Sequence, residues 1–214
     1  EDIAPQDRKV KLIEIFLDEL LQNAPWAVTR IFWRSRVEAL VDWFLKTEEA
    51  RQAHFFGGFF EETGKIFLTE QNLTLVSRAD RLHRLRDGTL AIYDYKTGTV
   101  PTKKQQQIFD KQLYLMAAIA ENGGFEKLGA ASVSKAAFIG LGTSPKEETA
   151  PFDEEPIAKV WDKFKALISS YQNQDQGYTP RRALFSVSDI SDYDQLSRFG
   201  EWEIADVSVA EDLK

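Results

Sequence analysis

Apolar residues recur at Leu12, Ile15, Phe16, Leu20 and Leu21, the i, i+3, i+4 spacing of an amphipathic helix over residues 8–22. A second helical stretch is predicted from about residue 28 to 52. Its apolar positions are Ile31, Phe32, Val37, Leu40, Val41 and Phe44, and Gly57-Gly58 breaks the pattern. The period then changes. Residues 65–85 and 89–97 are rich in β-branched and aromatic residues, with Asp87-Gly88 between them, and read as strands closed by a hairpin. A helix follows over about 105–121, ended by Asn122-Gly123-Gly124. Residues 132–141 read as a buried strand. A polar loop carrying Pro145, Pro151 and Pro156 comes next, then a helix over about 156–172, and an irregular aromatic stretch from Gly177 onward. Helices, strands, helix, strand, helix is the order of an α/β or α+β fold with a central mixed sheet. Residues 1–56 form a helical N-terminal portion and residues 57–214 the remainder, together one compact domain.

Composition narrows the chemistry. The chain has 214 residues, no Cys and two His, which excludes disulfides, thiolate zinc, cysteine-ligated iron–sulfur clusters and a cysteine nucleophile. No apolar run is long enough to span a bilayer, and EDIAPQDRKV does not read as a signal peptide, so a cytoplasmic protein is expected. The net charge of −7 argues against a protein that simply coats nucleic acid. Residues 77–111 run against that average. They carry eight basic and four acidic residues, a local +4 against −11 for the rest, which suits a phosphate-binding face. Gly64-Lys65 lacks both the first Gly and the Ser or Thr of a phosphate-binding loop, so no ATPase motif is present.

The chemistry concentrates in Asp80 and in Asp94-Tyr95-Lys96. Alternate residues of a strand share a face, so Asp94 and Lys96 project together and continue the apolar row of Leu90 and Ile92. Charges there are costly unless paired or bound to a metal. Two carboxylates with a lysine behind them suit a hard divalent cation such as Mg²⁺, or Mn²⁺ in its place. On spacing alone, an ion pair on a hairpin surface is the alternative. Register decides between them. A two-residue Asp87-Gly88 turn would put Asp80 and Asp94 on opposite faces. A three-residue loop Arg86-Asp87-Gly88, with Gly88 left-handed, pairs them directly. Gln112 falls within the apolar stripe of Ile108, Leu115, Met116 and Ile119, and an inward amide needs partners.

These residues, in SRADRLHRLRDGTLAIYDYKTG and KQLYLMAAIAENGGF, resemble the PD-(D/E)xK nuclease superfamily. More narrowly they look like the RecB-type nuclease domain at the C-terminus of the alphaproteobacterial AddB subunit of AddAB helicase–nucleases. The resemblance is strongest over residues 73–125 and extends weakly to FWRSRVEALVDWF and YDQLSRFGEW. It implies a restriction-endonuclease-like core and Mg²⁺-dependent hydrolysis of DNA, with no iron–sulfur cluster. It implies Asp80 and Asp94 as metal-binding acids, the main-chain carbonyl of Tyr95 as a further ligand, Lys96 as the catalytic lysine and Gln112 as support. It also implies a motor subunit, a larger polypeptide and a role in double-strand break repair. The N-terminal helices contain no His, where relatives of this type usually place one. A non-catalytic DNA-binding or interaction module on the same fold is the competing class. DNA is expected to pass over Lys103, Lys104 and Lys111, near a helix N-terminus, with Arg78 on the face of Asp80.

Overall fold

Helices give way to a sheet where the hydrophobic period shortens. The computed structural model describes residues 4–176, 194–198, 200–203 and 205–206. Most of the irregular stretch expected from Gly177, and parts of YDQLSRFGEW, lie outside the described residues.

Helix α1 spans Pro5–Asn23, with proline in the first turn where its missing N–H costs nothing. The second helical stretch is two helices, α2 (Ala27–Arg34) and α3 (Val37–Gln52). The single helix expected there is broken locally. The Ser35 hydroxyl donates to the Phe32 carbonyl at 2.8 Å, and the Arg36 N–H closes on Trp33 in a tighter turn.

Five strands follow: β1 (Phe55–Leu68), β2 (Leu73–Leu85), β3 (Leu90–Lys96), β4 (Val133–Gly140) and β5 (Lys146–Thr149). They lie in the order β1-β2-β3-β4-β5, and only the β3–β4 pair is parallel. The mixed sheet is as expected, whereas β5 falls in a stretch read as loop. It is a four-residue edge strand without the apolar alternation that announces one. Gly57-Gly58 ends the helical pattern yet lies inside β1. A Cβ on Gly58 would sit 2.6 Å from the His83 ring, so only glycine lets that ring pack there.

A parallel pair needs a long crossover. Here it is made by α4 (Lys103–Ile108) and α5 (Gln112–Glu121), two helices where one was expected. The N–H groups of Phe109 and Asp110 both turn back to the Gln105 carbonyl and close α4. The Asp110 carboxylate then accepts the Gln112 N–H at 3.2 Å and starts α5. Helix α6 (Ile157–Tyr171) is the last helix or strand among the described residues. The chain forms two compact units, Glu1–Trp161 and Asp162–Lys214, and the sheet lies in the first.

Strand β3 reads as a nearly unbroken buried run because both its faces are covered. One face carries Leu82, Leu90, Ile92, Ala136 and Phe138, all fully buried, and α5 packs against this sheet. The other carries Ala91, Tyr93, Ala137 and Ile139, against which Trp43 of α3 packs.

The α3 side of the sheet holds a buried charge network. Glu48 accepts from Arg81 at 2.6 Å and pairs with Arg51, which also pairs with Glu147. Lys135 reaches Glu147 at 2.5 Å, and Arg81 donates to the Tyr95 hydroxyl at 3.0 Å. Burial alone would push the Glu48 carboxyl up, but the two guanidiniums outweigh it and hold it below its ordinary range. His83 accepts from Arg81 and stacks on Phe55 at 3.7 Å. Burial, reinforced by the charge of Arg81, lowers its pKa to about 4.

His83 therefore stays neutral in the folded chain at pH values where an unfolded histidine is protonated. Stability that is complete above about pH 6.5 is expected to fall on acidification towards pH 4, because the unfolded state binds the extra proton. The loss by pH 4 is on the order of 3 kcal/mol, or about 6–12 °C in Tm for a chain of this size. Thermal melts of wild type and His83→Gln between pH 7 and 5 should converge as the pH falls, and parallel curves would count against a neutral buried His83.

Candidate active site

Whether Asp80 can meet Asp94 depends on the β2–β3 turn. Arg84 pairs with Leu90, His83 with Ala91, Leu82 with Ile92 and Arg81 with Tyr93. The Leu85 N–H bonds the Thr89 carbonyl at 2.8 Å, enclosing a three-residue loop of Arg86, Asp87 and Gly88. Gly88 takes a φ of +87°, a conformation that costs other residues roughly 1–2 kcal/mol. Asp87 secures the turn by accepting from the Thr89 N–H at 2.9 Å and hydroxyl at 2.7 Å. One position beyond the last pair, this register sets Asp80 opposite Asp94, on the face that carries Leu82 and Ile92. The strands part there. The Asp80 carboxylate, rather than a carbonyl, accepts the Tyr95 N–H at 2.8 Å.

Asp94, Lys96 and Gln112 close a ring. The Lys96 ammonium lies 2.7 Å from Asp94 Oδ2 and donates to Gln112 Oε1 at 2.8 Å. Gln112 Nε2 donates to Asp94 Oδ1 at 2.5 Å. The inward amide thus has both partners it needs, and they are the two charged residues of β3. Gln112 reaches them because it is the first residue of α5, placed there by the Asp110 cap. The Asp94 side chain is 5% exposed and that of Lys96 30%, so the ring runs from a buried carboxylate to a solvent-accessible ammonium. Burial raises the Asp94 pKa, and the Asp80 charge pushes the same way against Lys96 and Gln112.

These residues fit a divalent cation. Asp94 Oδ2 is buried and, beyond its ion-pair contact with Lys96, has no hydrogen-bond partner. Asp80, only partly buried, interacts with it electrostatically across the strand pair. All the donors on offer are hard oxygens, the set that Mg²⁺ and Mn²⁺ prefer. Among the described residues there is no group of three or more His, Cys, Asp and Glu able to hold a metal, so two carboxylates are what this site provides.

The basic residues separate into two kinds. Lys103 and Lys104 are exposed at the start of α4. That helix end is already closed by its own capping box between Thr102 and Gln105, so the lysines carry the local positive charge. Lys111 donates to the Gln107 carbonyl at 2.6 Å and pairs with Glu155 at 2.5 Å. Arg78 is exposed on β2 and pairs with Glu61 at 2.6 Å.

The sequence reading missed the groups behind the site. Arg81 is next to Asp80 in sequence but on the opposite face, where it joins Glu48 to the Tyr95 hydroxyl. The available signal was Glu48 and Arg51 continuing the inward face of α3, where apolar residues are the rule.

The family model of the PD-(D/E)XK nuclease superfamily matches residues 3–192. An uncharacterized protein of Rickettsia typhi is 29% identical over 122 residues, 56% of this chain and 14% of that protein. One from Rickettsia conorii is 27% identical over 130 residues, 59% of this chain and 16% of its own length. The chain thus aligns with about one-seventh of the length of these relatives. The crystal structure of SSO0001 is similar at a TM-score of 0.30 and 16% identity, covering 74% of this chain and 85% of that one. The matched span includes the β2–β3 hairpin, the Asp94–Lys96–Gln112 ring and the crossover helices, and this chain belongs to the PD-(D/E)XK nuclease superfamily.

Proposed function

We propose that the chain is the DNA-cleaving domain of an AddB-type helicase–nuclease, hydrolysing backbone phosphodiesters as an exonuclease. The observation that carries this reading is Asp80 set across the register from Asp94, with Lys96 and Gln112 closing a ring on the same carboxylate. A divalent cation held by Asp80, Asp94 and the Tyr95 main-chain carbonyl would supply the charge that polarises a phosphate and acidifies a water.

The chain's own groups do the rest. Asp94 is held in one orientation from both sides, by Gln112 on Oδ1 and Lys96 on Oδ2. The peptide of Tyr95 is fixed by Asp80 in front, and its hydroxyl is fixed by Arg81 behind. The Lys96 side chain is 30% exposed, so its ammonium can meet charge building on the phosphate oxygens. Lys103 and Lys104, with Arg78, guide the strand, while Lys111 is already engaged by Glu155. A strand-feeding motor must come from elsewhere, because this chain lacks a phosphate-binding loop. The length of the Rickettsia relatives supports a larger polypeptide around this domain. No helix among the described residues is long and apolar enough to cross a membrane, in keeping with a cytoplasmic role in double-strand break processing.

Asp80→Ala is expected to abolish Mg²⁺-dependent cleavage of single-stranded DNA. Lys96→Ala should slow it about 10²–10³-fold, the cost of losing one group that stabilises transition-state charge. Both should keep wild-type circular dichroism, because neither residue is part of the apolar core. A wild-type chain assembled with its motor partner that never cuts in Mg²⁺ or Mn²⁺ would favour the binding module instead.

The path of the strand can be tested separately. Charge reversal of Lys103 and Lys104 to Glu should weaken DNA binding. It should also flatten the dependence of log Kd on log salt by about 0.7–0.9 per lost phosphate contact. An unchanged slope in the double variant would move the strand away from α4.

A further inference from the structure

At the end of the parallel strand pair, lined by the loop that follows Lys96, lies a cavity of about 340 Å³. Lys96 is the last residue of β3 and pairs with Gly140, the last residue of β4. The loops that leave these strands, residues 97–99 and 142–144, form one wall. The far wall is α2 and the turn after it, with Phe32, Trp33 and Arg36. Crevices at the carboxyl ends of parallel strands are the recurrent ligand sites of α/β sheets.

The lining has a specific chemistry. Phe32 is 45% exposed, and the Arg36 guanidinium lies 3.5 Å from the centre of its ring. Among the described residues Arg36 has no acidic partner within ion-pair distance, so its charge is offered to the cavity. Lys146 adds a second cation from the opposite side, half exposed and only loosely paired with Glu148 at 3.8 Å. Thr99 and Thr143 supply exposed hydroxyls. Val100 seats against Gly140, where a Cβ would meet it at 2.5 Å, so the glycine lets this wall close. Nothing stands within 4 Å of a Cβ built on Gly98, which leaves that backbone open to a close ligand.

Aromatic faces, two cations and short hydroxyl-bearing loops together suit a base and its phosphate. The volume lies at the low end of the ~300–1,000 Å³ range of small-molecule sites, enough for one nucleotide and far too small for a duplex. We infer that this cavity is a nucleotide subsite. It would hold one unpaired nucleotide of the DNA strand directly beside the phosphate that is cut, with the base against Phe32 and Trp33 and the phosphate between Arg36 and Lys146. The inference rests on the nuclease reading and adds to it a reason for choosing single strands. A duplex would have to open before its terminal nucleotide could enter.

The test is binding of a short fluorescent oligothymidylate to the whole chain, measured by anisotropy in EDTA over a range of salt. Stacking and charge should separate. Trp33→Leu should weaken binding about tenfold and leave the salt slope unchanged. Arg36→Gln and Lys146→Gln should each flatten the slope by about 0.7. Trp33 also packs against Phe16 at 6.1 Å, so its variant is read beside Lys146→Gln, whose exposed side chain bears little on the fold. A wild type that binds and cuts DNA while these variants keep its affinity and slope overturns the subsite alone. A wild type that neither binds nor cuts single strands overturns the nuclease reading with it.

Discussion

The register of the β2–β3 hairpin is the constraint on which both layers of this molecule depend. It is set by a three-residue turn whose last member, Gly88, has a positive φ, and by Asp87 folding back onto Thr89. Side chains alternate strictly along a strand, so a slip of one residue would turn every group on β2 to the other face. Asp80 would leave the Asp94 side and enter the layer beneath α3. Arg81 would leave Glu48 and arrive opposite Asp94 or Ile92. The turn therefore places the candidate site and the buried network behind it together.

That coupling bears on how charge is tolerated in the sheet. Asp94 follows two fully buried apolar residues of its face, Leu90 and Ile92, and the interior opposes its ionised form. Lys96 and Gln112 offset part of that cost, and Asp80 adds to it. On the reverse face, Arg81, Glu48, Arg51, Glu147 and Lys135 are bonded in that order, so that each charge has an opposite neighbour. Removing one member would leave its partner buried and uncompensated, a loss of roughly 3–5 kcal/mol in such networks. Tyr95 is tied to both systems, through its N–H to Asp80 and its hydroxyl to Arg81. The residue between the two site side chains is thus clamped from either face.

Much of this could be read from the chain. The helical period of α1 and α6, the strand run of β3, the hairpin glycine and the inward Gln112 all announce themselves locally. Asp94 and Lys96 were legible as a candidate site because a charge on an apolar row needs a reason. What escaped depends on contacts between residues distant in sequence, or on capping that a period cannot register. The breaks at Ser35 and at Phe109–Asp110 come from single hydrogen bonds that divert a carbonyl or an N–H, while the apolar positions continue through them. Arg51 meets Glu147 across 96 residues, so their pairing could not be read from either neighbourhood. Strand β5 exists through its pairing with β4 and carries no signal of its own. The cavity between α2 and the two strand-end loops likewise depends on tertiary placement alone.

The proposed function requires Asp80 and Asp94 to share one divalent cation. Calorimetric titration of Mn²⁺ into the wild-type chain, with Asp80→Asn and Asp94→Asn alongside, tests it without reference to cleavage. One saturable site is expected in the wild type and its loss in both variants, since each removes one of the two charges that would hold the ion. Equal binding in the wild type and in both variants would contradict it, because the ion would then be held somewhere else.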